Sequence, residues 1–384
     1  MRSRLISKFL ILILTGLIVS AAFGSDNTRH VSARTPVQGN SREFAAERSG
    51  PSASTAFVPV PRVPHNWKKL ATLPGAVIHD ISFATPKVGY IAAEAGQVWK
   101  TTNGGSTWSK VLNLSFPYYF YGVKALTATD VVVSGFNDSN FEGIIRWSHD
   151  GGSSWTSDIV LTTSGWCDRV RFTDSQHGLV LDQLNLNAPN AAHYTTDGGS
   201  GASDWTADVP DPNGGWFGNQ FSILSNQHVR TSGITYCASP DGGATWTCGP
   251  PVDSVFDGPV FFASDKAGWV GGGEISPNVE GWVHRTTDGG KTWSGRTLDI
   301  GWPIREIFFF TPNIGWAAGG NIYSGVGGMY FSNDGGQTWS EDVNTGAEMG
   351  SCDGGQIGTK GQIWCAGSDA SLNGVVYTLQ GRLP

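Results

Sequence analysis

Six copies of a short turn carry the most regularly spaced carboxylates in the chain. Repeated carboxylates in glycine-rich turns suggest Ca²⁺ loops, but Ca²⁺ needs six to eight oxygens and each turn offers one carboxylate or none. Asp or Asn with a Ser or Thr two residues earlier can instead bond nearby backbone N–H groups and close a hairpin. We therefore assign the turns a structural role and no catalytic one. Their Asp or Asn and closing Trp residues are Asn103 and Trp108, Asp150 and Trp155, Asp197 and Trp205, Asp241 and Trp246, Asp288 and Trp293, and Asp334 and Trp339.

Acidic and aromatic residues in predicted loops form a second set of residues that could take part in binding. Around a concave centre, such groups can bind a sugar or a protein segment. The alternative for Tyr118 is that it opens a strand just after Pro117, where a proline is tolerated. Isolated loop acids are usually only solvated. The candidates for a partner or ligand face are Tyr118, Asp138, Glu142, Asp182, Trp216, Glu274 and Trp302.

Four of the five cysteines have plausible disulfide partners. Cys237 and Cys248 flank the fourth turn symmetrically, and Cys352 and Cys365 lie on two predicted adjacent strands. Bridges between neighbouring strands satisfy disulfide geometry, and export permits oxidation. The alternative is free buried thiols, and Cys167 is left over. Since neither Cys-x-x-Cys nor Cys/His ligand spacing occurs, we expect no metal, and we expect no cofactor.

The elements that position these residues repeat with the turns. The six tryptophans are 47, 50, 41, 47 and 46 residues apart. A period in the forties fits the four strands of one propeller blade. Upstream of most turns, an apolar run such as Ile304 to Thr311 precedes a small-residue run such as Gly315-Trp-Ala-Ala-Gly. This sub-pattern predicts an inner strand, a tight turn and a second strand.

The two ends of this repeat predict a closed ring. After Trp339 come three predicted strands without such a turn. Before the first inner strand lies one further predicted strand, Trp67 to Thr72, that belongs to no complete blade. We predict that this strand is the outermost strand of the last blade, because closing the ring leaves no long exposed sheet edge. The predicted fold is all-β, a single seven-bladed propeller of four-stranded antiparallel blades. Six blades with a tail is the alternative.

Composition supports this fold class. Charged residues make up 15% of the chain, and 53 of its 384 residues are Gly. These values argue against coiled coils, helical bundles and solvated disordered chains. The net charge of −7 provides no basic field for phosphate backbones, so we expect no nucleic-acid partner.

The N-terminal segment is typical of an export signal. Arg2 and Arg4 precede an apolar run, and small residues precede a predicted cut after Gly24. We predict a signal peptide at 1–24, a disordered leader rich in Ser, Ala, Arg and Pro at 25–64 and the propeller at 65–384. An uncleaved anchor is the alternative, and without a nearby cysteine we expect no lipid anchor. The mature protein is expected to be secreted or periplasmic, monomeric and without a membrane span.

The repeated turn resembles the Asp-box, Ser/Thr-x-Asp-x-Gly-x-Thr-Trp, of Asp-box (BNR-like) β-propellers. The wider pattern of inner strand, Gly-aromatic-Ala-Ala/Gly and box resembles the photosystem II stability/assembly factor family. This resemblance covers roughly residues 66–380 and is clearest at 78–108, 260–293 and 304–339. It implies a non-catalytic scaffold that holds protein partners. Family members in photosynthetic organisms act in the thylakoid lumen.

The alternative function is a glycoside hydrolase or a carbohydrate-binding propeller, because sialidases and some glucanases also carry Asp-boxes. Sialidase chemistry needs three arginines that clamp a carboxylate and a tyrosine nucleophile activated by a glutamate. Arg171 and Arg305 lie on predicted inner strands, yet no Tyr/Glu pair matches. A xyloglucanase-type site lies between two propellers, and this chain has room for one. We therefore expect a binding protein and no catalysis.

Overall fold

The computed structural model divides the chain into two units, Met1–Pro64 and His65–Pro384. It describes residues 65–163, 165–184, 191–207, 209–210, 212, 220–233, 235–253, 257–274, 279–357 and 360–381. The predicted signal peptide and leader lie outside the described residues.

Within the described residues, 28 strands form seven antiparallel four-stranded sheets, the blades of a propeller. The chain enters through β1 (Lys68–Leu73). Blade 1 holds β2 (Ile78–Phe83), β3 (Gly89–Ala93), β4 (Gln97–Thr101) and β5 (Ser109–Asn113). Blade 2 holds β6 (Tyr118–Ala125), β7 (Val131–Asn137), β8 (Glu142–Ser148) and β9 (Ile159–Thr162). Blade 3 holds β10 (Gly165–Phe172), β11 (Gly178–Leu184), β12 (Ala191–Thr195) and β13 (Val209–Pro210), with a 3-10 helix at Ala202–Asp204.

The remaining blades follow the same order from the inner strand outwards. Blade 4 holds β14 (Gln220–Ile223), β15 (Val229–Ser232), β16 (Tyr236–Ser239) and β17 (Thr247–Cys248). Blade 5 holds β18 (Asp257–Phe262), β19 (Gly268–Glu274), β20 (Glu280–Thr286) and β21 (Leu298–Ile300). Blade 6 holds β22 (Ile304–Phe309), β23 (Gly315–Asn321), β24 (Val326–Ser332) and β25 (Ser340–Asn344). Blade 7 holds β26 (Ala347–Ile357), β27 (Lys360–Asp369) and β28 (Gly374–Gly381).

The N-terminal strand completes blade 7, whose strand order is β1-β28-β27-β26. Lys68 pairs with Thr378 and Leu73 pairs with Gly374, antiparallel. The predicted seven-bladed closure is therefore confirmed, and the six-bladed alternative is wrong. Closure removes the open sheet edge that β28 would otherwise present.

A buried carboxylate ties the entering chain to blade 6. Asp342 of β25 accepts hydrogen bonds from the Trp67 indole at 2.7 Å, the Trp316 indole at 2.9 Å and the His65 backbone N–H at 3.2 Å. The Nδ1 atom of His65 also lies 3.0 Å from Asp342. We call these four residues the closure contact, because they hold the chain where it enters the ring.

The apolar core lies between neighbouring blades. Ile81 of blade 1 packs with Trp364 of blade 7, and Ile145 of blade 2 packs with Val170 of blade 3. Where an inner strand turns into the second strand, its last aromatic ring covers a glycine. A Cβ atom on Gly315 would lie 2.5 Å from the Phe309 ring, which explains the Gly that opens several second strands.

The two ends of the propeller differ in construction. In blades 1 to 6, the first Gly of the repeated turn donates its N–H to a carbonyl of the turn between first and second strands, as Gly242 does to Gln227 at 2.7 Å. Both turns therefore lie at one end, which we call the turn face. The loops between second and third strands and the segments between blades form the other end, which we call the loop face.

The fourth turn shows how the repeated sequence closes a hairpin. Asp241 accepts bonds from Ser239 Oγ at 2.9 Å and from the Thr245 N–H and hydroxyl at 2.8 and 2.6 Å. Gly242 and Gly243 have φ of 74° and 107°, values that favour glycine. Because the Asp oxygens are occupied locally, these side chains serve the turn. Their classification as Asp-boxes stays a prediction.

The tryptophans of the turns make two kinds of hydrogen bond. Trp108, Trp205 and Trp246 donate to a carbonyl of their own turn. The Trp155 indole donates to the Val111 carbonyl at 3.2 Å and the Trp339 indole to the Thr297 hydroxyl at 3.1 Å, both in the preceding blade. The latter two rings therefore fasten neighbouring blades together.

Two disulfides are present, as predicted. Cys237 and Cys248 are register partners on β16 and β17, and Cys352 and Cys365 are register partners on β26 and β27. Cys167 is fully buried and is not in a disulfide.

Candidate functional site

The hub of the propeller collects charged residues from three inner strands. Each stands three residues before the phenylalanine that ends its strand, in an otherwise largely apolar segment. The equivalent position in each blade faces the centre of the ring, so residues far apart in sequence meet there. They are Asp80 in β2, Arg169 in β10 and Glu306 in β22.

Asp80 is the centre of this network and is fully buried. Two nitrogens of Arg171 donate to its two oxygens at 2.7 and 3.1 Å, Ser351 donates at 2.7 Å and the Val123 N–H at 2.9 Å. Arg169 lies 3.4 Å away. Burial raises the pKa of the carboxyl, but the two guanidinium charges and the hydrogen bonds outweigh it and lower the pKa. Asp80 is therefore held as a carboxylate.

Arg169 connects blade 3 to blades 6 and 7. It donates to Glu306 at 3.2 Å and to the Gly350 carbonyl at 2.6 Å. Burial raises the pKa of Glu306, and the charges of Arg169 and Arg171 only partly offset this effect. The network thus joins blades 1, 3, 6 and 7.

A cavity of about 220 Å³ opens beside this network. Arg169, Arg171 and Glu306 line one side of it. Five phenylalanines and Asp353 are among the other lining residues. Four of the five phenylalanines stand in the last two positions of an inner strand or just beyond it, so the cavity faces the turn face. The five are Phe221, Phe261, Phe308, Phe309 and Phe310. We call this space the hub cavity.

The arrangement is poorly suited to a sialidase-type clamp. Arg171 is engaged by Asp80, and Arg305 lies 3.2 Å from Glu348. Each arginine therefore already has a carboxylate partner within the fold. In the part of the chain that the structure describes, no group of three His, Cys, Asp or Glu side chains could hold a metal ion.

The structure separates the residues predicted for a binding face. Tyr118 opens the inner strand β6 and donates to Asp158 at 3.0 Å. Glu142 begins β8 and accepts from Asn140 at 3.2 Å, and Trp302 packs on Tyr330 with ring centroids 5.6 Å apart. Each of the three has a local structural partner.

Of the other predicted face residues, Asp138 follows β7 and Glu274 ends β19, both at the loop face. The prediction for Asp182 is wrong. Its side chain is fully buried and accepts from the Ala191 N–H at 2.9 Å, with His193 Nε2 at 3.0 Å, so it cannot meet a ligand at the surface. Trp216 lies outside the described residues.

Sequence reasoning missed the hub network and the hub cavity. The sequence does contain a signal for them, because Asp80, Arg169 and Glu306 each stand three residues before the phenylalanine that ends an inner strand. Aligning these strands on their terminal phenylalanines would have brought the three together.

No family model matches the chain. The photosystem II assembly lipoprotein Ycf48 of Synechococcus sp. (strain CC9902) is 25% identical over 282 residues, which cover 72% of this chain and 78% of that protein. The chain is similar to Ycf48. The predicted resemblance to the photosystem II stability/assembly factor family is thus confirmed.

Two solved structures share the propeller fold. "YCF48 bound to D1 peptide" matches with a TM-score of 0.57 at 19% identity, covering 83% of this chain and 98% of that one. YCF48 from Cyanidioschyzon merolae matches with a TM-score of 0.55 at 20% identity, covering 82% and 98%. Among the described residues, no helix has the length and apolar character needed to cross a membrane.

Proposed function

We propose that this protein is an exported, non-catalytic propeller scaffold that binds a segment of a partner protein in the hub cavity. The observation that carries the proposal is the cavity itself, which is lined by two arginines together with a group of phenylalanines. The similarity to Ycf48 supports it, since one solved YCF48 structure holds a D1 peptide. In a photosynthetic host, the expected compartment is the thylakoid lumen.

The size of the cavity favours a side chain over a whole ligand. Small-molecule pockets usually span roughly 300–1,000 Å³, and the hub cavity has about 220 Å³. It fits one or two side chains of an extended segment. An apolar side chain would pack on Phe261 and Phe308, and a carboxylate or carbonyl of the same segment would meet Arg171, whose side chain is 24% exposed.

The hub charges support binding rather than catalysis. A general acid and base must reach the substrate, whereas Asp80 is completely buried and already accepts four hydrogen bonds. Incubation with sialic-acid conjugates or β-glucans should give no turnover. Robust turnover that disappears on changing Arg171 or Arg305 would overturn the non-catalytic assignment.

Calorimetric titration with overlapping peptides that cover D1 tests the binding role. Phe261→Ala should weaken the tightest complex at least tenfold, as expected for an aromatic side chain at the centre of an interface. Tyr323→Ala is the matched control, because Tyr323 lies on the loop face of blade 6 and is 48% exposed. Equal losses in both variants, or saturable binding of β-glucan oligosaccharides in place of every peptide, would contradict the proposal.

A further inference from the structure

The loop-face end of the hub carries a second cluster, built around two tyrosines of β6. The rings of Tyr119 and Tyr121 are nearly parallel, with centroids 6.4 Å apart and an interplanar angle of 9°. Burial raises the pKa of both phenols, and nearby carboxylates add to the effect: Asp138 and Glu94 on Tyr119, and Glu94, Asp168 and Asp138 on Tyr121. Geometry places two of these acids beside the pair. Glu94 lies 3.7 Å from His79, whose ring is 5.0 Å from that of Tyr121, and Gly122, next to Tyr121, packs against the backbone of Arg169, next to Asp168.

Asp168 is the most unusual member of this cluster. Asp168 is only 9% exposed, and its Oδ2 atom is buried and makes no hydrogen bond. Burial raises its pKa to about 7, because the positive charge of Arg169 offsets burial only in part and the negative charge of Asp182 adds to the rise. A buried carboxylate oxygen without a donor is costly, and a cation brought to it would relieve that cost.

The cations near this cluster are committed elsewhere. Arg305 lies 3.2 Å from Glu348, and the guanidinium of Arg169 contacts Glu306 and Gly350. His79 stands beside Tyr121, with ring centroids 5.0 Å apart, and 3.7 Å from Glu94. His79 and Arg169, whose charge acts on Asp168 while its guanidinium contacts Glu306, are thus the cations shared among the three acids.

Two exposed aromatic side chains, Phe116 and Phe141, belong to the same blade as the tyrosine pair. All five large apolar side chains that are exposed among the described residues lie on the loop face. Phe116 is the closest, with its ring 6.4 Å from that of Tyr119. The five are Phe116, Phe141, Val279, Tyr323 and Val326.

We propose that Glu94, Asp138, Asp168, Tyr119 and Tyr121 form a binding site for a lysine or arginine side chain of a partner protein. Carboxylates and aromatic faces together attract an organic cation, and the guanidinium group also stacks on tyrosine. Apolar residues of the partner, next to its lysine or arginine, would pack on Phe116 and Phe141. A metal ion is a poorer occupant, because the described residues contain no group of three His, Cys, Asp or Glu side chains that could hold one. This site is independent of the hub cavity, which opens at the opposite end.

Two short peptides test the proposal, acetyl-Leu-Arg-Leu-amide and the same peptide with neutral citrulline in place of arginine. Binding is followed by NMR shifts of backbone amides in the full protein. The arginine peptide should bind at least tenfold more tightly and shift the amides of Glu94, Tyr119 and Tyr121. Failure to bind at millimolar concentration, or equal binding of both peptides, would overturn the proposal.

Variants locate the site. Asp168→Asn and Glu94→Gln should each weaken the arginine peptide about tenfold. Glu341→Gln, on the exposed edge of β25, should not change the affinity, and neither should Phe261→Ala in the hub cavity. Affinity that survives both Asp168→Asn and Glu94→Gln would overturn the assignment. Because Phe261→Ala affects only the hub cavity, failure of the proposed function and failure of this site are distinguishable.

Discussion

Replacing Asp342 with alanine should weaken the whole ring, because Asp342 holds the closure contact. In Asp342→Ala, the indole N–H groups of Trp67 and Trp316 both lose their acceptor. Trp316 is fully buried, so water cannot replace the lost oxygen. Each buried donor left without a partner costs about 1–3 kcal/mol, which for two donors gives a loss of about 2–6 kcal/mol in the free energy of unfolding.

Urea unfolding followed by tryptophan fluorescence at neutral pH measures this loss. Glu341→Ala is the matched control, since Glu341 precedes Asp342 on β25 and is exposed. We expect the control to stay within about 0.5 kcal/mol of the wild type. A loss in Asp342→Ala no larger than that of the control would refute the role given to the closure contact.

The same variant should also alter the acid sensitivity of the fold. Burial raises the pKa of Asp342, but hydrogen bonds from His65, Trp316 and Trp67 outweigh it, so the folded pKa lies below 3.8. The stabilisation from Asp342 is therefore complete above about pH 4 and is lost as the pH falls through the folded value. Between about pH 4 and pH 2, the wild type should lose more stability than Asp342→Ala. Parallel curves in that range would contradict this reasoning.

Three further predictions concern the fold. Cys237→Ser should cost about 3 kcal/mol in the free energy of unfolding under non-reducing conditions, as expected for a short loop, and the difference should vanish in reductant. Asp80→Asn should cost about 3–5 kcal/mol in urea unfolding, because it breaks a buried ion pair with Arg171; a cost below about 1 kcal/mol would argue against a structural hub. Deleting residues 25–60 should be nearly neutral, whereas deleting 25–75 removes β1 and should lower the thermal midpoint and cause aggregation. Equal midpoints for the two truncations would count against closure by β1.

The fold could be predicted from sequence because its main signals are local. A Ser and an Asp two residues apart, such as Ser239 and Asp241, close their own hairpin, so a repeat in sequence becomes a repeat in space. The disulfides were predictable for the same reason, since Cys237 and Cys248 flank one turn. The closing strand required only the count of strands at the two ends.

The hub was not predictable in the same way, because its contacts join distant segments. Arg171 meets Asp80 across 91 positions, and Arg169 meets Glu306 across 137. Only the register of the inner strands shows that such residues share one level of the ring. The prediction for Asp182 failed because the sequence suggested a loop there, whereas β11 continues to Leu184 and His193 on the neighbouring strand contacts the buried carboxylate.

Hydrogen–deuterium exchange of the protein with and without its tightest D1 peptide tests the central claim most directly. A segment seated in the hub cavity should slow exchange in β14 and at the ends of β18 and β22, where Phe221, Phe261 and Phe308 line the cavity. Outer strands such as β17 and β21 should exchange at unchanged rates. Protection confined to the outer strands or to the loop face, or no peptide-dependent protection anywhere in the ring, would contradict a scaffold that binds its partner through the hub.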